Sequence, residues 1–228
     1  MAAVSSPLSK LTIQATLPAA VSYELLPLGV LVLRHALTDK EQMALLEDTL
    51  TKLTMQKAMH CVAMAGTPSP SKGFCYRYRS QYPDALGDVE PMCIGLATRL
   101  YAKYCSEKAE ELKTQRETET LYSCQLPLTF TARTLWGRAY DADQKLGYHV
   151  DPPGDDYVFI ISMGRSVDVS YYLTDPLAAR TLTLNSGDAV FFNGSVLSHG
   201  IFKIGDANTM PAYWSNKDFV RLGLQMRQ

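Results

Sequence analysis

Apolar residues run without interruption from Gly29 to Leu33 (GVLVL), a short stretch suited to a buried strand. The pattern then changes period. Met43, Leu46, Leu50 and Leu53 recur at helical spacing behind Thr38-Asp-Lys-Glu41, in which the threonine can cap a helix and the glutamate can reach back to it. Together these predict an amphipathic helix of about four turns. Residues 66–73 (GTPSPSKG) form a loop by composition. In Phe74–Tyr82, aromatics alternate with Cys75, Arg77 and Arg79. A second helix is predicted from Pro91, with Met92, Leu96, Leu100 and Tyr104 along one face. It runs into SEKAEELKTQRETET, a charged stretch expected to be a solvated helix end and a connector.

From about residue 126 the character changes. Short β-rich runs follow one another at Leu128–Trp136, Tyr157–Ser162, Val167–Leu173, Thr181–Leu184, Ala189–Phe192 and Phe219–Met226. Pro152-Pro-Gly154, Met163-Gly164, Asp175-Pro176 and Asn185-Ser-Gly-Asp188 separate them as turns. Many short strands at this spacing indicate a sandwich or barrel, and helices ahead of them are expected to pack on one outer face of a sheet. The class is α+β, mainly β. One domain over 21–228 suffices, with 1–20 as a flexible tail, about 55–125 as a variable lid and helical region, and 126–228 as the β core.

Composition narrows the choice of function. Lys+Arg 22 against Asp+Glu 23 leaves a net charge of -1, which excludes a protein that grips long nucleic acid by charge alone. No apolar run approaches the ~18 residues of a membrane span. Cys61, Cys75, Cys93, Cys105 and Cys124 are odd in number and scattered, with no C-x-x-C. This disfavours a disulfide framework or zinc site and points to a reducing intracellular compartment, cytoplasm or nucleus, with the mitochondrion left open. The first 20 residues carry neither the apolar core of a secretory signal nor the arginines of a mitochondrial presequence.

Two of the four histidines lie in the β-rich part. His149-Val-Asp151 is an H-x-D, and residues two apart on a strand project to the same side. Alone it is a weak signal. His199, fifty residues on, supplies a third ligand, and the interval is long enough for about four strands. Two histidines and a carboxylate form the facial triad of non-haem Fe(II) oxygenases. In Phe219–Gln228, Val220, Leu222, Leu224 and Met226 share one face, while Arg221, Gly223, Gln225 and Arg227 share the other. A strand with one solvated face also gives this alternation. Behind an iron triad, two guanidiniums inside a barrel would instead need a fixed anion, which a dicarboxylate provides at each end.

These segments resemble the AlkB-type Fe(II)/2-oxoglutarate dioxygenases. The resemblance is carried by Tyr140 ahead of His149-x-Asp151, by FIISMGRSVDVSYYL, by LNSGDAVFFNGSVLSHGI and by RLGLQMRQ, and is continuous from about Gly137 to Gln228. GVLVLRHALTDKEQ is similar to the opening strand and first helix of that family, whereas roughly 55–125 matches poorly. The resemblance implies a double-stranded β-helix, or jelly-roll, with the N-terminal helices on one outer face. It implies that His149, Asp151 and His199 hold Fe(II), that Arg221 pairs with the distal carboxylate of 2-oxoglutarate, and that Tyr140 donates its hydroxyl to the same co-substrate. Arg227 would lie nearer the metal, beside the chelating carboxylate and Asp151. In that family O2 and 2-oxoglutarate are consumed, succinate and CO2 are released, and an oxidised N-methyl leaves as formaldehyde.

Three positions depart from the family pattern. Arg138 stands where the family has Asn, Gly223 and Gln225 replace the Asn and Thr between the two arginines, and Pro153 replaces an acid near the substrate base in bacterial-type members. The implied partner is methylated DNA or RNA, acted on by a monomer. In the interval of the family's nucleotide lid, Phe74, Tyr76, Arg77, Tyr78 and Arg79 have the composition to stack on a flipped base and meet phosphate. The same segment also fits an amphipathic hairpin with its aromatics in the core. Two alternatives accompany this reading: the same chemistry on a protein or small molecule, and a non-catalytic jelly-roll that binds a metal or ligand.

Overall fold

The computed structural model describes residues 21–56, 75–78, 89–132, 134–154, 156–217 and 219–228. The elements are β1 (Ser22–Leu26), β2 (Val30–Arg34), α1 (Asp39–Gln56), β3 (Cys75–Tyr78), α2 (Val89–Glu107), α3 (Ala109–Thr118), β4 (Thr134–Tyr140), β5 (Leu146–His149), β6 (Tyr157–Gly164), β7 (Val167–Tyr172), β8 (Arg180–Leu184), β9 (Ala189–Asn193), β10 (Ser198–Ile204) and β11 (Arg221–Arg227). A seven-stranded sheet runs β1-β2-β9-β6-β11-β4-β3, and a four-stranded sheet runs β5-β10-β7-β8. The two antiparallel sheets form the jelly-roll. No helix among the described residues is long and apolar enough to cross a membrane.

The large sheet is buried on both faces, and strand alternation assigns residues to each. Leu222, Leu224 and Met226 of β11, with Leu135 of β4 and Phe159 and Ile161 of β6, pack under Leu96, Leu100, Tyr101 and Tyr104 of α2. The opposite face carries Val158, Val190 and Phe192, which meet Val167, Val169, Tyr171, Leu182 and Leu184 of the small sheet. Helices therefore occupy one side of the large sheet, and the space between the sheets occupies the other.

At the start of α1 the capping box forms: Thr38 N donates to Glu41 Oε2 at 2.7 Å and Glu41 N donates to Thr38 Oγ1 at 3.3 Å. The buried stripe is rotated from the expected one, however. Leu45, Leu46 and Thr49 are buried, while Met43 is 42% exposed. The charged run 106–120 also differs from expectation, since it contains the separate helix α3 anchored by buried Leu112. Its polar side chains serve the connector that follows. Gln115 Nε2 donates to Cys124 O at 3.0 Å, Leu126 N donates to Gln115 Oε1 at 3.0 Å, and Arg116 Nη1 donates to Leu126 O at 2.6 Å. β4 starts at Thr134 rather than Leu128, which is 65% exposed. The expected tail over 1–20 lies outside the described residues.

Leu100 has no exposed surface beneath the sheet. Leu100→Ala is expected to cost about 2–5 kcal/mol in denaturant unfolding, with the far-ultraviolet circular dichroism of the folded state unchanged.

Candidate metal centre and co-substrate cavity

His149 ends β5 and His199 lies near the start of β10, and the two are direct partners across the antiparallel ladder. Four strands, β6 to β9, separate them in the chain. Asp151 reaches the same place by another route than strand alternation. β5 ends at His149, so Asp151 stands in the following loop. Its backbone N donates to Gly194 O at 2.8 Å, which docks the loop against the residue after β9. A Cβ on Gly194 would collide with Asp151 Oδ2, so the absence of a side chain there is what admits the carboxylate.

The donor atoms of His149, Asp151 and His199 lie within 4.8 Å of one another, the one such group of three among the described residues. His149 Nε2 is 3.9 Å from Asp151 Oδ1, and His199 Nε2 is 3.8 Å from Asp151 Oδ2. Each ring is oriented by a backbone carbonyl. His149 Nδ1 is 3.0 Å from Gly147 O and His199 Nδ1 is 2.8 Å from Leu197 O. With Nδ1–H donating there, both Nε2 lone pairs face the carboxylate, the tautomer a metal requires. Arg227 Nη2 donates to Asp151 Oδ1 at 2.6 Å, whereas the buried Asp151 Oδ2 has no hydrogen-bond partner among the described residues. Burial, only partly opposed by Asp151, pushes the His199 imidazole down to about 4, so it is neutral at physiological pH. This compact set of two imidazoles and one carboxylate oxygen fits a divalent cation such as Fe(II).

A narrow cavity leads from His199 into the barrel. Ile160, Val169, Leu184, Val190 and Ile201 form apolar walls, and Tyr140, Arg221, Gly223 and Gln225 also line it. Arg221 is 1% exposed and pairs with Tyr140 across the ladder, its Cζ 5.2 Å from the ring centroid. No carboxylate among the described residues pairs with it. Burial pushes its guanidinium down to about 10, with Tyr140 opposing, which leaves it cationic at neutral pH. The Tyr140 hydroxyl is also buried without a hydrogen-bond partner among the described residues. A buried cation beside a free hydroxyl donor is an incomplete anion site. Arg227 stands at the other end, with Asp151, and also donates to Gln225 Oε1 at 3.3 Å.

Of the proposed substrate-contacting segment, Phe74 and Arg79 lie outside the described residues. Cys75–Tyr78 forms edge strand β3, whose register pairs Cys75 with Arg138, Tyr76 with Gly137, Arg77 with Trp136 and Tyr78 with Leu135. Trp214 packs on Phe219 at 5.8 Å between ring centroids, against the outer core rather than the cavity rim. Sequence reasoning missed Gly194 at the site, which was open to detection as a glycine directly after a strand.

Gly194→Ala is expected to displace Asp151 and to weaken Fe(II) binding by at least about tenfold in anaerobic titration, while the protein stays folded. Acid titration is a second check. Unfolded His199 takes up a proton near 6.5 that the folded protein refuses until about 4, so stability of the metal-free protein falls as pH drops through that interval. In urea denaturation with chelator, His199→Gln is expected to flatten that part of the curve.

No protein-family model matches the chain, and neither does any curated protein. Among solved structures, OsALKBH1 aligns with a TM-score of 0.60 at 15% identity, covering 91% of this chain and 100% of that one. A 2OG-Fe(II) oxygenase family protein from Burkholderia pseudomallei gives a TM-score of 0.44 at 12% identity, covering 88% and 85%. The chain thus shares the fold of OsALKBH1, and it carries within that fold a His-Asp-His set whose chemistry fits iron.

Proposed function

We propose that the protein is an Fe(II)- and 2-oxoglutarate-dependent oxygenase that removes alkyl groups from the nitrogens of DNA or RNA bases. One observation carries the oxygenase reading. One cavity is lined both by His199, a member of the His-Asp-His set, and by Arg221, a buried cation that no carboxylate among the described residues pairs with. His149, Asp151 and His199 hold the metal, and Arg227 fixes which Asp151 oxygen is left to it. Arg221 and Tyr140 bind the distal carboxylate of the co-substrate, and the apolar walls keep water from the methylene chain between its ends. When bound, iron and 2-oxoglutarate supply oxygen activation coupled to decarboxylation, with succinate and CO2 as products.

The base-demethylation reading is supported by the AlkB homologue named among the structural neighbours and by the aromatic and arginine content of Phe74–Arg79. A second reading keeps the chemistry and changes the target to a protein side chain or small molecule. Pro153 two residues beyond Asp151 and the net charge of -1 favour it.

Anaerobic addition of Fe(II) and 2-oxoglutarate is expected to give a weak visible charge-transfer band, and O2 is then expected to yield succinate. His149→Ala and Asp151→Ala should lower succinate formation by at least about 100-fold. Formaldehyde released from N-methylated oligonucleotides supports base demethylation; succinate that no oligonucleotide stimulates favours the second reading. Iron binding with neither band nor succinate would overturn the oxygenase assignment.

A further inference from the structure

Arg221 is seated by two neighbours that the co-substrate assignment does not use. Gly223 lies two residues further along the same face of β11, and the ladder pairs it with Ser162 of β6. A Cβ at position 223 would stand 3.2 Å from Arg221 Nη1, so the guanidinium lies over the glycine, where a side chain would crowd it. From there Nη2 donates to Ser162 Oγ at 3.4 Å. Ser162 has no exposed surface, and its own hydroxyl proton has no acceptor among the described residues. A hydroxyl that accepts from a cation and keeps its proton to give is half of a carboxylate site.

The serine is firmly held. β6 lies between β9 and β11. Ser162 N donates to Asp188 O at 2.9 Å, and Gly187 N donates to Ser162 O at 2.8 Å. Asp188 is itself fixed in a buried position. It accepts from Arg34 Nη1 at 2.9 Å, from His35 N at 3.0 Å and from Asn185 N at 3.0 Å. The hydroxyl therefore projects from a rigid strand beside an equally buried guanidinium, which favours a fixed, planar anion.

We propose that Ser162 is a co-substrate-binding residue that donates its hydroxyl to the distal carboxylate of 2-oxoglutarate, and that Gly223 is a positioning residue that leaves room for Arg221 to bind the same group. This rests on the oxygenase reading above. Recognition from two strands at once selects for a 2-oxoacid with a second carboxylate over one that ends in a methyl group.

The test titrates the Fe(II)-loaded protein anaerobically with 2-oxoglutarate and with 2-oxobutyrate, which lacks the distal carboxylate. Ser162→Ala is expected to weaken 2-oxoglutarate binding about tenfold, the range for a lost hydrogen bond to a charged group. Its affinities for Fe(II) and for 2-oxobutyrate should stay within about twofold of the unsubstituted protein. Gly223→Val, which displaces the guanidinium, should weaken 2-oxoglutarate at least as much and again spare Fe(II). Equal 2-oxoglutarate affinity in Ser162→Ala would overturn the serine assignment alone. Parallel loss of 2-oxobutyrate and Fe(II) would reduce the serine to a packing role and overturn it too. If the unsubstituted protein fails to bind 2-oxoglutarate, the oxygenase reading and this inference fall together.

Discussion

The ion pair between Asp151 and Arg227 is the constraint on which the metal end depends. Both groups are almost wholly removed from water, and burying two such ions costs several kcal/mol that only close, well-aligned contact offsets. The contact joins the loop after β5 to the end of β11. It also divides the carboxylate: one oxygen is held by the guanidinium, and the other faces His199 with no hydrogen-bond donor among the described residues. An aspartate free to rotate would offer either oxygen and seek water. This one presents a prepared ligand.

The second organising fact is that the large sheet is buried on both faces with different chemistry on each. The α2 face is wholly apolar at its centre, and Tyr101, Phe130 and Phe191 meet there with ring centroids 4.3 to 6.0 Å apart. The other face carries charge, yet it is also shielded, by the small sheet. β11 shows both in seven residues, with Leu222, Leu224 and Met226 toward the helices and Arg221, Gly223, Gln225 and Arg227 toward the cavity. Packing on the first face holds the strand straight enough for polar groups on the second to meet at fixed distances.

The period-2 pattern of β11 and the capping box of α1 were readable in the chain because each is a local rule that tertiary structure obeyed. The convergence of His149, Asp151 and His199 was also readable, though strand alternation explains only part of it. His149 and His199 meet as strand partners, but Asp151 arrives through a loop pinned to Gly194, and no spacing rule encodes that contact. β5 and β10 escaped notice for a related reason. Leu146–His149 is four residues long, and Ser198–Ile204 mixes Ser, His, Gly and Lys with apolar residues, so neither has the composition of a strand. They exist because each other's edges, and β7 beyond, satisfy their backbones. Ser162 shows the limit: a serine in an apolar strand becomes informative only when the neighbour across the ladder is known.

The position of β11 in the sheet has a consequence for how the protein comes into being. It follows every other described strand in sequence, yet it lies between β4 and β6, with both edges paired. The large sheet therefore cannot close until this segment is inserted, and every contact it makes with β6 spans roughly 60 residues or more of chain. Loop closure of that length comes before its reward, a topology that folds slowly. Arg221 and Arg227 travel on this strand, so a partly folded chain lacks both guanidiniums at once. Competence to bind should appear in a single step, when the centre of the sheet is filled, rather than accumulate as the sheet grows.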